Sequence, residues 1–133
     1  MSDLHSYFTA VGGAVLKRNG AQLSSLIALP LDSAHSIKQS PHKDFSERAR
    51  GINCLSYASS NISDEGVAAI VGHHLLGMVS LSSGDYRKAY EHILSSYNAV
   101  LDYLKEENSS WILPVLFRVS NDLRLVANKV ISI

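Results

Sequence analysis

Apolar residues recur at helical spacing along nearly the whole chain, and this periodicity limits the fold more than any other feature. Leu4, Phe8, Val11 and Val15 follow one another at steps of four, three and four residues, which places them on one face of a helix. No alternation of apolar and polar residues and no hairpin turn between β-rich segments indicates a strand. The pattern therefore predicts an all-α protein.

Short polar, glycine-containing or proline-containing segments divide the periodic chain into five or six helices. The breaks fall at Asn19-Gly20, Pro30, residues 31–43, residues 61–63, Gly84-Asp85 and residues 106–110. Residues 31–43 are rich in Ser, His and Asp and have no periodicity, so we expect a mobile loop there. Asn19-Gly20 predicts the end of the first helix, and Ser63 or Asp64 is a candidate N-cap for a long later helix.

Length and charge exclude several classes of protein. The 133 residues, with a mass of 14.5 kDa, predict a single domain over residues 1–133. Lys plus Arg and Asp plus Glu both number 12, so no basic excess attracts nucleic acid, and we expect little or no direct binding of it. The N-terminus has no signal-peptide pattern, and no apolar run is long enough to cross a membrane.

The middle of the chain carries a pattern typical of a tetratricopeptide helix pair. Gly77 lies within one predicted helix, Gly84-Asp85 forms the turn, and Tyr86 and Ala89 open the next helix. A small residue at Gly77 and another at Ala89 let two helices approach closely. The pattern predicts antiparallel helix pairs stacked as a tetratricopeptide-like, right-handed solenoid, with an ordinary antiparallel pair as the alternative.

The last third of the chain carries a longer string of distinctive residues. It runs Lys105-Glu106-Glu107-Asn108, Trp111, Leu113-Pro114-Val115, Val119, Asp122-Leu123-Arg124 and Ala127-Asn128. This string resembles the PCI-domain proteins of the Thp type, found in the TREX messenger-RNA export complex, and their signalosome-associated Csn-type relatives. The resemblance is strongest from about Gly72 to Asn128, and Ser109-Ser110 is an insertion relative to the family.

The resemblance implies the N-terminal helical-repeat part of a longer PCI protein, because family members continue into further repeats and a winged helix. It implies a non-catalytic scaffold in a nuclear complex that couples transcription to messenger-RNA export, or a role in the signalosome-associated relative. The implied partners are a GANP/Sac-type scaffold and a small acidic DSS-type protein, contacted mainly by later parts of such a protein. The implied location is the nucleus and its pores, and also the cytoplasm.

The same C-terminal string supplies the candidate interaction or structural residues: Trp111, Pro114, Asp122, Arg124 and Asn128. Trp111 is expected in the core or as a helix staple, with a partner contact as the alternative. Pro114 fits the first turn of the last helix. Asn121, Arg124 and Asn128 share a helix face, and a structural role is expected for them, with docking of another chain or of the next helical repeat as the alternative. In the structural role, Arg124 pairs with Asp122, pairs with a carboxylate on a neighbouring helix, or is solvated.

The spacing of apolar residues also predicts which side of the last helix packs against its neighbours. Val115, Val119, Leu123, Val126 and Val130 form a packing stripe, and Leu113, Leu116 and Phe117 are expected to widen it. A stripe of this kind predicts a helix that buries one side against its neighbours and presents the other side to solvent or to a partner.

Catalysis, metal binding and cofactor binding are not predicted. His73 and His74 are adjacent on a helix and point about 100° apart, so they do not chelate one ion easily, and His74 is expected to face inward. No serine lies in a nucleophile elbow, and Cys54 fits a buried apolar position better than a reactive thiolate. A free-standing tetratricopeptide-like adaptor that binds a peptide is the alternative to the scaffold interpretation.

Overall fold

The computed structural model describes residues 3–29 and 53–132, and every regular element in these ranges is helical. The helices are α1 (Asp3–Leu16), α2 (Gly20–Leu26), α3 (Cys54–Asn61), α4 (Glu65–Ser82), α5 (Tyr86–Tyr103) and α6 (Leu113–Ile131), and a 3-10 turn at Ser110–Ile112 precedes α6. The all-α prediction is confirmed. The loop predicted at residues 31–43 lies outside the described residues.

Four of these helices begin at an Asn or Asp whose side chain accepts a backbone N–H of the first turn. Asn19 caps α2, Asn53 caps α3, Asp64 caps α4 and Asp85 caps α5, with donor–acceptor distances of 3.0 to 3.3 Å. Such bonds satisfy N–H groups that have no partner within the helix. Asp64, one of the two predicted caps, is confirmed in that role.

The first helix ends by a different device from the predicted one. Helix α1 stops at Leu16, and Arg18 takes the left-handed conformation with φ 51°, while the Asn19 N–H bonds back to the Ala14 carbonyl. Gly20 is not the left-handed residue but the first residue of α2. A Cβ placed on Gly20 would overlap the carbonyl oxygen of Trp111, so the glycine serves a close approach between helices.

The helices contact one another both in chain order and across the chain. Helix α4 packs between α3 and α5, and α5 packs against α6, which confirms that neighbouring helices pack in pairs. Helix α1 packs on α2 and α3, and α2 also packs on α6. A linear stack of repeats does not require this last contact. The right-handed stacking therefore stays a prediction.

The centre of the core is the interface between α4 and α5. Eleven of the 18 residues of α4 are buried. A Cβ on Gly77 would lie 2.8 Å from Cγ1 of Ile93, so the predicted close approach at Gly77 is present, with the Ile93 side chain facing it. The Ser96 hydroxyl donates to the Ile70 carbonyl at 2.8 Å across the same interface. Gly84, with φ 81°, makes the turn between the two helices.

Candidate functional site

Helix α6 brings Asp122, one of the candidate residues, into the core. Its Oδ2 atom lies 2.8 Å from Nε2 of His74 on α4, and both side chains are 0% exposed. Its Oδ1 atom lies 3.6 Å from a guanidinium nitrogen of Arg118, one helical turn earlier on α6. Asp122 thus joins α6 to α4 through the middle of the molecule.

The buried Asp122 carboxyl group has one hydrogen-bond partner, His74, and one cation nearby, Arg118. A carboxylate removed from water needs hydrogen bonds or opposite charge close by. Here the His74 ring donates its Nε2–H to one oxygen of Asp122, and the Arg118 guanidinium lies near the other. A His–Asp pair also occurs in general-base catalysis, but these two side chains have no exposed surface through which a substrate reaches them. The arrangement supports a structural role.

The spacing of Asp122 along α6 already indicates that it lies on the buried side of the helix. Asp122 follows Val115 and Val119 and precedes Val126 at steps of four, three and four residues, and all four residues are buried. A lone acid on an apolar helix face predicts a buried partner on another helix. The partner, His74, is 48 residues away, so the helical spacing of α6 alone did not identify it.

Trp111 and Pro114 lie where the start of α6 meets α2. Besides its overlap with the Trp111 carbonyl, a Cβ on Gly20 would come within 3.0 Å of the Pro114 ring. The half-buried Trp111 ring packs edge-on against Tyr103, with centroids 5.9 Å apart and planes at 88°. Pro114 occupies the first turn of α6, where the missing N–H costs no helical hydrogen bond.

Tyr103 connects this junction to the start of α4. Its hydroxyl donates to Oδ2 of Asp64 at 2.8 Å, while the other carboxylate oxygen caps α4. Burial, followed by the hydrogen bond to Asp64, raises the pKa of Tyr103. The phenol therefore stays protonated and keeps donating at neutral pH.

Arg124 and Asn128 lie on the opposite side of α6 from Asp122, and both are exposed. Of the outcomes expected for Arg124, the pairing with Asp122 is wrong, because Asp122 faces the core, and the solvent-exposed position is the one present. Arg124 instead donates to Oδ1 of Asn121 at 2.8 Å on the same helix. The shared face predicted for Arg124 and Asn128 is present.

That side of α6, here called the outer α6 surface, also carries large apolar side chains. Its members recur at steps of three and four residues and are all exposed: Leu113, Phe117, Ser120, Arg124, Asn128 and Ile131. Phe117 is 69% exposed and Ile131 81%. The expectation that Leu113 and Phe117 widen the packing stripe is wrong, because both point away from Val115 and Val119.

Two further kinds of site were considered from the sequence: a reactive cysteine and a metal site. Burial raises the pKa of the Cys54 thiol to about 11, so this side chain is a neutral thiol at physiological pH. Among the described residues, no three His, Cys, Asp or Glu side chains form a group able to hold a metal ion. Within the same residues, each helix is either too short or too polar to span a membrane.

Comparison with known proteins adds no assignment. No protein-family model, no curated protein and no solved structure matches the chain.

Proposed function

We propose that this chain is a non-catalytic scaffold segment of a PCI-type subunit, in which the outer α6 surface packs against the next helix of a right-handed, tetratricopeptide-like solenoid. The observation that carries the proposal is the exposure of Leu113, Phe117 and Ile131 along one side of α6. Large apolar side chains aligned on one helix face are typical of a surface that another element covers.

A helix is the occupant that this surface fits. Its apolar positions recur at steps of three and four residues, which is the ridge spacing by which helices pack together. Its one charged side chain, Arg124, already has a hydrogen-bond partner in Asn121 on the same helix. A covering helix then has to supply acceptors for the remaining donors of the guanidinium, or leave them at its solvent-exposed edge.

The proposed setting comes from the resemblance of the C-terminal string to Thp-type PCI proteins. It places the chain in a nuclear complex that couples transcription to messenger-RNA export, with a GANP/Sac-type scaffold and a small acidic DSS-type protein as partners. The signalosome-associated relative is the alternative setting. In both settings, segments that follow the helical-repeat part make the main partner contacts.

The transcript downstream of the Ile133 codon gives the direct test. We expect an open reading frame that encodes further helical repeats and a winged helix. Tagged protein from that frame is then expected to co-purify with subunits of the export complex, whereas co-purification with signalosome subunits would select the alternative. A stop codon directly after Ile133 in all transcripts would contradict the proposal and favour a free-standing adaptor.

Direct RNA binding is not part of the proposed function. The chain has 12 basic and 12 acidic residues, and RNA affinity depends largely on basic groups that neutralise phosphates. We expect weak, non-specific binding in a fluorescence-anisotropy titration with single-stranded and double-stranded RNA at physiological salt. Sub-micromolar binding with a steep salt dependence would contradict this expectation, since it requires that folding gathers the basic residues on one face.

A further inference from the structure

Two histidines on neighbouring helices face each other at the α4–α5 interface. The rings of His73 on α4 and His92 on α5 lie with centroids 6.3 Å apart and planes at 27°, a stacked arrangement. Both side chains are half-buried. Nδ1 of His73 is buried and has no hydrogen-bond partner among the described residues.

The charges around this pair come from α5 and its N-cap. Lys88 lies one helical turn before His92, and Glu91 and Asp85 are the acidic groups that act on the same ring. The charged group that acts on the pKa of His73 is His92 itself. The pair therefore has one neighbouring cation and two neighbouring acids, all on the α5 side.

The other elements that pack on α4 and α5 direct their titratable groups elsewhere. On α3, which packs against α4, Cys54 is buried and Tyr57 packs on the Phe8 ring, with centroids 4.9 Å apart. On α6, the buried carboxylate of Asp122 is engaged by His74 and lies near Arg118, Arg124 bonds to Asn121, and Lys129 is exposed.

We propose that the His73–His92 pair is an acid-sensitive latch between α4 and α5: the two neutral rings pack together, and protonation of both places two positive charges at the interface. Like charges at this separation repel, and the half-buried position weakens the screening by water. This property belongs to the helix pair and is independent of the proposed scaffold function.

The direction of the pH dependence follows from the environment of the two rings. Burial lowers the pKa of both histidines below the ordinary 6.5, and for His92 the nearby Lys88 lowers it further, against the opposing effect of Glu91 and Asp85. The unfolded chain then binds more protons than the folded chain below about pH 6.5. The contribution of the two neutral rings to the free energy of unfolding is therefore fully present above this pH, and it is lost as the pH falls.

Denaturation by urea at pH 7.5, 6.5 and 5.5 tests the latch. At pH 5.5, one unit below the ordinary pKa, each imidazole that stays neutral in the fold raises the unfolding constant by up to about tenfold. We expect this acid sensitivity to decrease in H73Q and in H92Q, and to decrease most in the double variant. H5Q, at an exposed histidine on α1, is the matched control and should keep the wild-type dependence.

Proton NMR titration of the wild-type imidazoles tests the same idea without any variant, should H73Q or H92Q fail to fold. We expect two coupled titrations centred below 6.5 that belong to His73 and His92. Titration of both rings at 6.5 or above would overturn the proposal. An unchanged acid dependence in a folded double variant would overturn it equally.

Discussion

Gly20 and Gly77 both lie at close contacts between helices, and they differ in what the glycine faces. At Gly77, an added Cβ would meet the Cγ1 and Cδ1 ends of the Ile93 side chain on α5. At Gly20, it would meet the backbone of Trp111, with the carbonyl oxygen overlapping and the carbonyl carbon at 3.1 Å. A side-chain end can rotate away, whereas a backbone carbonyl moves only with its helix.

The difference shows how α6 is held. Its start is fixed by backbone contact with α2 at Gly20, and its middle is fixed by the buried bond between Asp122 and His74. The α4–α5 pair depends on side-chain packing that can adjust. Substitutions at these positions should therefore have effects that decrease from the polar link, through the backbone contact, to the adjustable contact.

The largest effect is expected for Asp122→Ala, which removes the carboxylate that links α6 to α4. The variant leaves the His74 ring buried without its acceptor, and breaking a buried pair in this way costs about 3–5 kcal/mol. The free energy of unfolding, measured by urea denaturation, should fall by that amount.

Asp102→Ala is the matched control, because Asp102 pairs with Lys105 at 3.5 Å where both side chains are more than three-quarters exposed. Its loss should stay below about 1 kcal/mol. A similar loss in both variants would mean that the buried link contributes no more than a surface ion pair.

The next effect is expected for Gly20→Ala, which tests the backbone contact. An added methyl group forces α2 away from the start of α6, and overpacking of this kind costs about 1–3 kcal/mol. Gly13→Ala is the control, because a Cβ on Gly13 meets nothing within 4 Å. This second variant should gain up to about 1 kcal/mol from better helix propensity. Gains in both variants would contradict the close approach of α2 and α6.

The sequence predicts the α4–α5 pair better than the α2–α6 junction, and the reason is the range of the contacts. The turn at Gly84, the cap at Asp85 and the close approach at Gly77 are all decided within about 20 residues, by local backbone and helix rules. Gly20 meets Trp111 some 90 residues later, so local rules assigned it to a helix end.

The candidate site shows the same limit. The shared face of Arg124 and Asn128 and the place of Pro114 in the first turn follow from spacing within α6. Spacing within α6 does not predict which of its sides faces the core, because Leu113 and Phe117 are as apolar as the buried valines. The tertiary contacts of α2, α4 and α5 with α6 decide which apolar residues stay exposed.

Gly77→Ala is expected to have a smaller effect than Gly20→Ala, and Gly77→Leu serves as the larger substitution at the same position. Gly77→Leu overpacks the α4–α5 interface and should cost roughly 1–3 kcal/mol. Gly77→Ala should stay within about 0.5 kcal/mol of wild type, since the gain in helix propensity offsets the displacement of the Ile93 side-chain end. Thermal unfolding of both variants measures the difference. A loss as large as that of Gly20→Ala in the alanine variant would show that Ile93 is as fixed as a backbone carbonyl.

The smallest effect is expected at Asn108, which lies between α5 and the start of α6 and contacts Arg18 after α1. Asn108 takes a left-handed conformation with φ 62°, and its backbone carbonyl accepts a hydrogen bond from Arg18 at 3.3 Å. Asn108→Gly keeps that carbonyl and adopts positive φ more readily than Asn, which itself tolerates this conformation, so it should gain less than about 0.5 kcal/mol. Asn108→Ala keeps the same carbonyl but tolerates this conformation less well than Asn, so it should lose stability in the same urea titration. A loss in both variants would assign the contribution to the Asn108 side chain itself rather than to its backbone conformation.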